Sequence, residues 1–317
     1  MGHELERLAH EGTAPMNPVF FYRALQVYYN YPWHALWRGV ETMALARVAL
    51  TPPVLDIGCG DGIFALMLTA SSIERDFDDF QVYHGRIEAC RCSYSLERPL
   101  DVGLDLEWPS LPKASALHAY RLTTCADASH LPFKNESFST VLGNSSVEHM
   151  PPLSEVIAET WRVLKPGGRL VLTVPTTSLG QHFFFSRILA RCGLPTWARR
   201  YADAVNQRLA HHNLLSADEW RAKLAAAGFS EFSYESLLSS RAVATWDLLR
   251  FADEAGLGKV TFGRGVRLLF YLSNKLGITW PRSLAISTLR RCFRPLVERE
   301  MAGTSSNGGV LLIIATK

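Results

Sequence analysis

The 317-residue sequence has no C-x-x-C pair among its six cysteines, which stand at 59, 90, 92, 125, 192 and 292. That spacing supports neither a disulfide framework nor a paired-cysteine zinc site. Residues 1–17 are polar and charged and lack the apolar stretch of a secretory leader. No uncharged apolar run approaches the roughly 18 residues that a spanning helix needs. A reduced, cytoplasmic protein is the expectation. Excess charge is also scarce: 33 Lys and Arg face 30 Asp and Glu, a net charge of +3, so composition does not point to nucleic acid. No N-P-P-Y motif and no RNA-binding module are present. The local exception is 255–297, which lacks Asp and Glu entirely but carries Lys259, Arg264, Arg267, Lys275, Arg282, Arg290, Arg291 and Arg294.

What is present is enough apolar sequence, 48% of residues, to bury one large α/β core or two small ones. The organising stretch is Val54-Leu55-Asp56-Ile57-Gly58-Cys59-Gly60-Asp61-Gly62. Its apolar start predicts a buried strand, its alternate glycines a tight turn, and Ile63 to Leu68 the helix that follows, running to about Ser71 or Ser72. Such a turn admits a ligand close to the backbone and offers it free N–H groups. A dinucleotide fingerprint would need its third glycine at 63, where Ile63 stands. A dinucleotide oxidoreductase is therefore disfavoured.

G-x-G-x-G with Asp56 two positions upstream resembles motif I of the class I S-adenosylmethionine (SAM) methyltransferases. Three later blocks carry the same resemblance in order. Asp127-Ala128 followed by Leu131-Pro132-Phe133 and Ser137-Phe138 is similar to the D-A-x-x-L-P-F-x-x-x-S-F-D-x-V block, with Ser139 where that family usually has Asp. Val147-Glu148-His149 matches its hydrophobic-Glu-His triplet. Arg162 to Leu172, read as R-V-L-K-P-G-G-R-L-V-L, matches the signature before its fifth strand. The small-molecule type (type 11, UbiE-like) is the branch resembled, over about 54–175.

The resemblance implies a Rossmann-like, doubly wound α/β sheet of seven strands. The implied order is 3-2-1-4-5-7-6 with the last strand antiparallel, under a helical N-terminal segment and helical insertions that form a lid. The expected division is a cap at 1–50, a SAM-binding domain at 51–236, a basic apolar insertion at 237–306 and a final strand at 307–317. Within the second part an insertion falls at about 73–98 and a lid at about 180–212. By resemblance, SAM is held by Asp56, Gly58, Cys59 and Gly60 at the turn, Asp105 and Leu106 after strand two, Asp127 and Ala128 after strand three, and Asn144 at the end of strand four. Asp105 would bind the ribose, although it lies 43 residues past Gly62; Glu74 and Asp79 are the alternatives. Asp127 would accept from the adenine amino group and the Ala128 N–H would serve a ring nitrogen.

Methyl transfer needs in-line alignment more than covalent help. A general base aids a hydroxyl or acidic-carbon acceptor. His149, after strand four, is the first candidate, with His211 and His212 near the lid hinge as others. His84, Cys90 and Cys92 are metal-ligating types, but C-x-C is not the usual zinc spacing, and no metal is expected. The expected reaction moves the SAM methyl to O, N or C of a small or lipid-like acceptor and leaves S-adenosylhomocysteine. A non-catalytic SAM-binding regulatory or partner subunit is the alternative. The 255–297 stretch is either a lid whose cations face water or an amphipathic element for an anionic membrane. Aromatics crowd 18–50, where one or two amphipathic helices broken near Pro32 are expected.

Overall fold

The computed structural model describes residues 15–73, 94–96, 98–257, 260–278, 280–303 and 307–317. Most of the 73–98 insertion, including Glu74, Asp79, His84, Cys90 and Cys92, lies outside them, as does Lys259.

Seven strands make one sheet: β1 Val54–Ile57, β2 Leu100–Asp105, β3 Tyr120–Cys125, β4 Phe138–Asn144, β5 Leu164–Pro175, β6 Glu231–Leu237 and β7 Val310–Thr316. Their order is β3-β2-β1-β4-β5-β7-β6. β7 runs antiparallel to both neighbours, and every other pairing is parallel. This is the doubly wound Rossmann-like fold that the motifs imply. The chain reverses its strand order between β1 and β4, which opens a crevice at their carboxyl ends, where such sheets bind ligands.

Two apolar layers sandwich the sheet. Behind one face lie α1 (Pro18–Val27), α2 (Pro32–Leu45), α3 (Ile63–Thr69) and α4 (Leu111–Ala116). Behind the other lie α5 (Leu153–Val163) and, beyond the lid, α9 (Ala217–Ala226), through Leu153, Val156, Ile157, Trp220 and Leu224. The stretch expected as a lid folds as α6 (Leu179–His182), α7 (Phe184–Arg191) and α8 (Pro195–Arg208); α10 (Ser240–Glu254), α11 (Phe262–Lys275) and α12 (Trp280–Met301) follow β6. Ser216 and Glu219 form a full capping box at the start of α9.

α1 and α2 each open with proline at the first turn, where its missing N–H costs nothing. α2 is buried almost all round, which marks a central helix rather than a surface one. Gly39 permits its approach to α1, since a Cβ there would meet the Phe21 ring at 2.5 Å.

One local expectation is corrected, and one ladder is irregular. α3 stops at Thr69, short of Ser71, because Ala70–Ile73 pairs antiparallel with Tyr94–Leu96. Lys165 to Gly168 does not separate α5 from β5; the strand ladder begins at Leu164, opposite Phe138, and these four residues bulge before pairing resumes at Arg169. Residues at the end of β7 hold that bulge, with Gly167 N–H donating to the Lys317 carbonyl at 3.0 Å.

The basic insertion proves to be docked on the aromatic N-terminal segment. Arg267, Arg282 and Arg290 lie over the rings of Tyr31, Tyr29 and Tyr22 at 4.2, 5.1 and 4.0 Å. Phe293 meets Phe21 edge-on at 5.9 Å. Ring faces are negative, so aromatics can partner cations; Arg267 also pairs with Asp253 of α10 at 2.7 Å. Part of the charge in 255–297 therefore faces neither water nor lipid but the cap.

Candidate functional site

Gly58, Gly60 and Gly62 all take positive φ, at 71°, 54° and 79°. Their surroundings differ. A Cβ on Gly58 would strike the Ser146 Cβ at 2.5 Å, so this glycine lets the β1 turn pack on the β4 turn. A Cβ on Gly60 would meet nothing within 4 Å, so this glycine faces open space. The Gly60 N–H donates to Asp105 Oδ2 at 2.7 Å, and the Glu107 N–H donates to Oδ1 at 2.8 Å. A carboxylate accepts about four hydrogen bonds, so Asp105 keeps capacity for two hydroxyls. Leu106, directly after it, is 67% exposed beside the crevice.

Asp56 and Cys59 sit beneath the turn. Asp56 is buried and its Oδ2 accepts from the Tyr120 hydroxyl at 2.6 Å. Burial pushes its carboxyl up to about 7, with Tyr120 pulling the other way and Asp105 adding to the rise. Its carboxylate thus braces the turn against β3. Burial likewise pushes the Cys59 thiol well above its ordinary range, which leaves it unreactive.

At the end of β3 the Ala126 N–H donates to the Asp105 carbonyl at 3.1 Å, which holds the β2 and β3 tails side by side. Asp127 Oδ1 takes both the N–H and the hydroxyl of Ser129, at 2.8 and 2.7 Å. These bonds hold its carboxyl below the usual range, hence ionised at neutral pH. Among the described residues the Ala128 N–H has no hydrogen-bond acceptor.

At the end of β4 lies a buried polar network that no sequence motif announces. Its centre is Glu41 of α2, fully buried. Glu41 accepts from Trp37 Nε1 at 3.0 Å, Arg38 at 3.0 Å, Asn144 Nδ2 at 3.4 Å, Thr173 Oγ1 at 3.4 Å and the Ser145 hydroxyl. Asn144 Oδ1 also accepts from Thr173 at 2.7 Å. The Asn144 side chain is therefore spent on the scaffold.

The next turn, Val147–His149, is stitched to the lid. The His212 and Asn213 N–H groups donate to the Glu148 carbonyl at 2.8 and 3.0 Å, and Asn213 Nδ2 reaches the Val147 and Met150 carbonyls. This brings the His211 ring to 5.5 Å from that of His149. Glu148 lies against both, with a ligand atom of each of the three residues within 4.8 Å of the others. His212 contributes its backbone, and its exposed side chain stays outside this cluster. Burial pushes Glu148 up to about 8 and His211 down to about 4, and lowers His149 as well.

The order of these parts along the chain is diagnostic, and a methyltransferase-domain family model matches residues 34–231. The chain belongs to this methyltransferase family. Relatives of the chain include the demethylmenaquinone methyltransferase of Lactiplantibacillus plantarum, 29% identical over 44% of this chain and 51% of that protein. The 27-O-demethylrifamycin SV methyltransferase of Amycolatopsis mediterranei is 29% identical over 58% and 56%. The chain thus spans about half the length of the curated relatives it matches. Among solved structures, a SAM-dependent methyltransferase of Thermotoga maritima aligns over 94% of this chain and 99% of its own, at 14% identity and a TM-score of 0.47.

The family's cofactor is S-adenosyl-L-methionine, and the chain's own residues fit it. The open face of Gly60, the spare acceptor capacity of Asp105, the ionised Asp127 and the orphan Ala128 N–H suit, in turn, a methionine moiety, a ribose diol, an amino group and a ring nitrogen.

Proposed function

We propose that this chain transfers the SAM methyl group to an O, N or C nucleophile of a small, apolar acceptor presented at an anionic lipid surface. SAM supplies an electrophilic methyl group on a sulfonium: its S–C bond breaks as the acceptor's bond to carbon forms. The chain's work is then to align the acceptor, exclude water and remove the acceptor proton. The Glu148–His149–His211 cluster, at the carboxyl end of β4 beside the glycine turn, is the proton-removing group. Both imidazoles are held neutral by burial, so they have lone pairs to offer at neutral pH.

His149→Ala is expected to lower turnover at least about tenfold, within the usual contribution of a general base, with affinity for S-adenosylhomocysteine kept. Single-turnover methyl transfer and calorimetry read the two quantities; unchanged turnover would take His149 out of the reaction. Normal cofactor binding with no transfer to any of a panel of acceptors would favour the regulatory-subunit reading instead.

One observation carries the lipid surface. Along α11 and the start of α12, Phe262, Leu269, Leu276 and Trp280 are 68, 67, 74 and 67% exposed, and Leu268, Leu272, Ile278 and Leu284 join them. Further along α12, Arg291 and Arg294 are exposed beside the Tyr22 cleft, Arg294 paired with Glu298 at 2.7 Å. An apolar face beside cations, with no acid between 255 and 297, suits a helix pair lying in an anionic interface. Among the described residues no helix is long and apolar enough to cross a membrane. Vesicles containing phosphatidylglycerol are expected to co-sediment the chain, neutral phosphatidylcholine vesicles much less. Leu269→Glu with Leu276→Glu should abolish the association. Equal recovery of wild type and variant would end this version and leave the helices as a lid.

A further inference from the structure

We propose that Glu148, His149 and His211 bind a divalent transition-metal cation at the mouth of the crevice. The argument starts from hydrogen positions. His149 Nδ1 lies 3.0 Å from the Ala210 carbonyl, which can only accept, so Nδ1 carries the proton and Nε2 presents a lone pair. His211 Nδ1 lies 3.2 Å from the Asn206 side-chain amide, and with the amide oxygen facing the ring, as here, Nδ1 donates and Nε2 is left as a lone pair. The third member is a carboxyl whose Oε2 is buried with no hydrogen-bond partner among the described residues. Its Oε1 stands 3.8 Å from His149 Nε2, too far for a hydrogen bond. Two imidazole lone pairs and an unpartnered carboxyl oxygen thus converge, with the proton of the raised Glu148 carboxyl as the one donor among the three groups. A single proton on Glu148 would serve one of them at most, whereas a cation serves all three.

The second layer fits the same reading. A metal-ligating histidine donates its other ring N–H to a carbonyl or carboxylate, which orients the ring and raises its basicity. Both imidazoles have that partner here, one from the lid hinge and one from α8. Ligand atoms about 2.1 Å from a tetrahedral metal are about 3.4 Å apart. The Glu148–His149 separation of 3.8 Å therefore needs only a small contraction. Two imidazoles and one carboxylate suit Zn²⁺, Co²⁺, Mn²⁺ or Fe²⁺ and leave positions open for another oxygen. Arg38, the cation that also acts on Glu148 and His149, is paired with Glu41 at 3.0 Å, which offsets its repulsion of a metal. The use of this cation rests on the methyl-transfer reading: with the metal bound, the two imidazoles would serve as its ligands and not as free bases, and an acceptor oxygen on the metal would lose its proton more readily. Binding of the cation does not depend on that reading.

The test uses the full chain, stripped with a chelator and dialysed. Titration with Co²⁺ is expected to develop the visible absorption of a low-coordinate nitrogen and oxygen site at one equivalent per chain. Thiolate charge-transfer bands should be absent, which separates this site from the free cysteines. His211→Ala and Glu148→Gln should each weaken Co²⁺ and Zn²⁺ binding by about tenfold or more. Calorimetry with S-adenosylhomocysteine on the metal-free protein and on both variants serves as the fold control. Absence of the band in the wild type, or a band that persists unchanged in both variants, would overturn the proposal. Cofactor binding and methyl transfer that survive complete metal removal would leave the methyltransferase reading standing and deny the cation its part in it. A metal-replete wild type that binds no S-adenosylhomocysteine would count against that reading instead.

Discussion

Asp105→Ala is expected to weaken S-adenosylhomocysteine binding about a hundredfold, by calorimetric titration, without unfolding the chain. Asp105 ends β2 at the point where the crevice opens, and the backbone already uses two of its acceptor positions, through Gly60 and Glu107. A ribose diol would take the remaining two. Hydrogen bonds to a charged acceptor contribute about 1.5–3 kcal/mol each, and a tenfold change in affinity is about 1.4 kcal/mol. Losing two such bonds gives at least a hundredfold. The fold should survive because Asp105 is only partly buried and its β2 backbone stays in the ladder, paired with both β1 and β3. Asp105→Asn keeps the shape and loses the charge, so an intermediate loss is expected. Unchanged affinity in Asp105→Ala would remove this residue from the cofactor site and turn attention to Glu107.

The features that were legible in the sequence are those that short-range chemistry determines. Glycine spacing in 58–62 imposes the turn, β-branched and apolar runs mark β3 and β7, and the Ser216–Glu219 spacing caps α9. The sheet order followed from recognising the blocks as a set. What stayed hidden depends on partners distant in the chain. α3 ends early because residues 94–96 offer a strand to 70–73, and no local signal in either segment says so. His149 and His211 were separate candidates, and their meeting depends on backbone bonds from 212 and 213 to Glu148. The cations of 255–297 found tyrosines more than 230 residues away. Glu41 was overlooked among aromatics. The available signal was that the helix from Pro32 to Leu45 has this one acid in an otherwise apolar setting. Such an acid is either exposed or paired in the core, and its partners Asn144, Ser145 and Thr173 come from β4, its turn and β5.

Glu41→Ala should be the most destabilising single change in the site region. The substitution leaves Arg38, Trp37 Nε1, Asn144 Nδ2 and the Ser145 hydroxyl without their common acceptor in a space that excludes water. Removing one partner of a buried pair costs roughly 3–5 kcal/mol. For a chain of this size 1 kcal/mol shifts Tm by about 1.5 °C, so thermal unfolding should begin at least about 4 °C earlier. Function should suffer in the same variant below its Tm. Ser145 holds a left-handed φ of 43° just before the Val147–His149 turn, and its hydroxyl bond to Glu41 helps support that conformation. Without it the turn that carries Glu148 and His149 loses its anchor, whereas Asp105 and Asp127, which make no contact with Glu41, keep theirs. The expected signature is therefore turnover that falls further than cofactor affinity. Glu41→Gln retains an acceptor for Trp37 or Ser145 and should fall between the two in both measurements. A Glu41→Ala chain with unchanged Tm would mean that water enters the network and that α2 is held to the sheet by its apolar face alone.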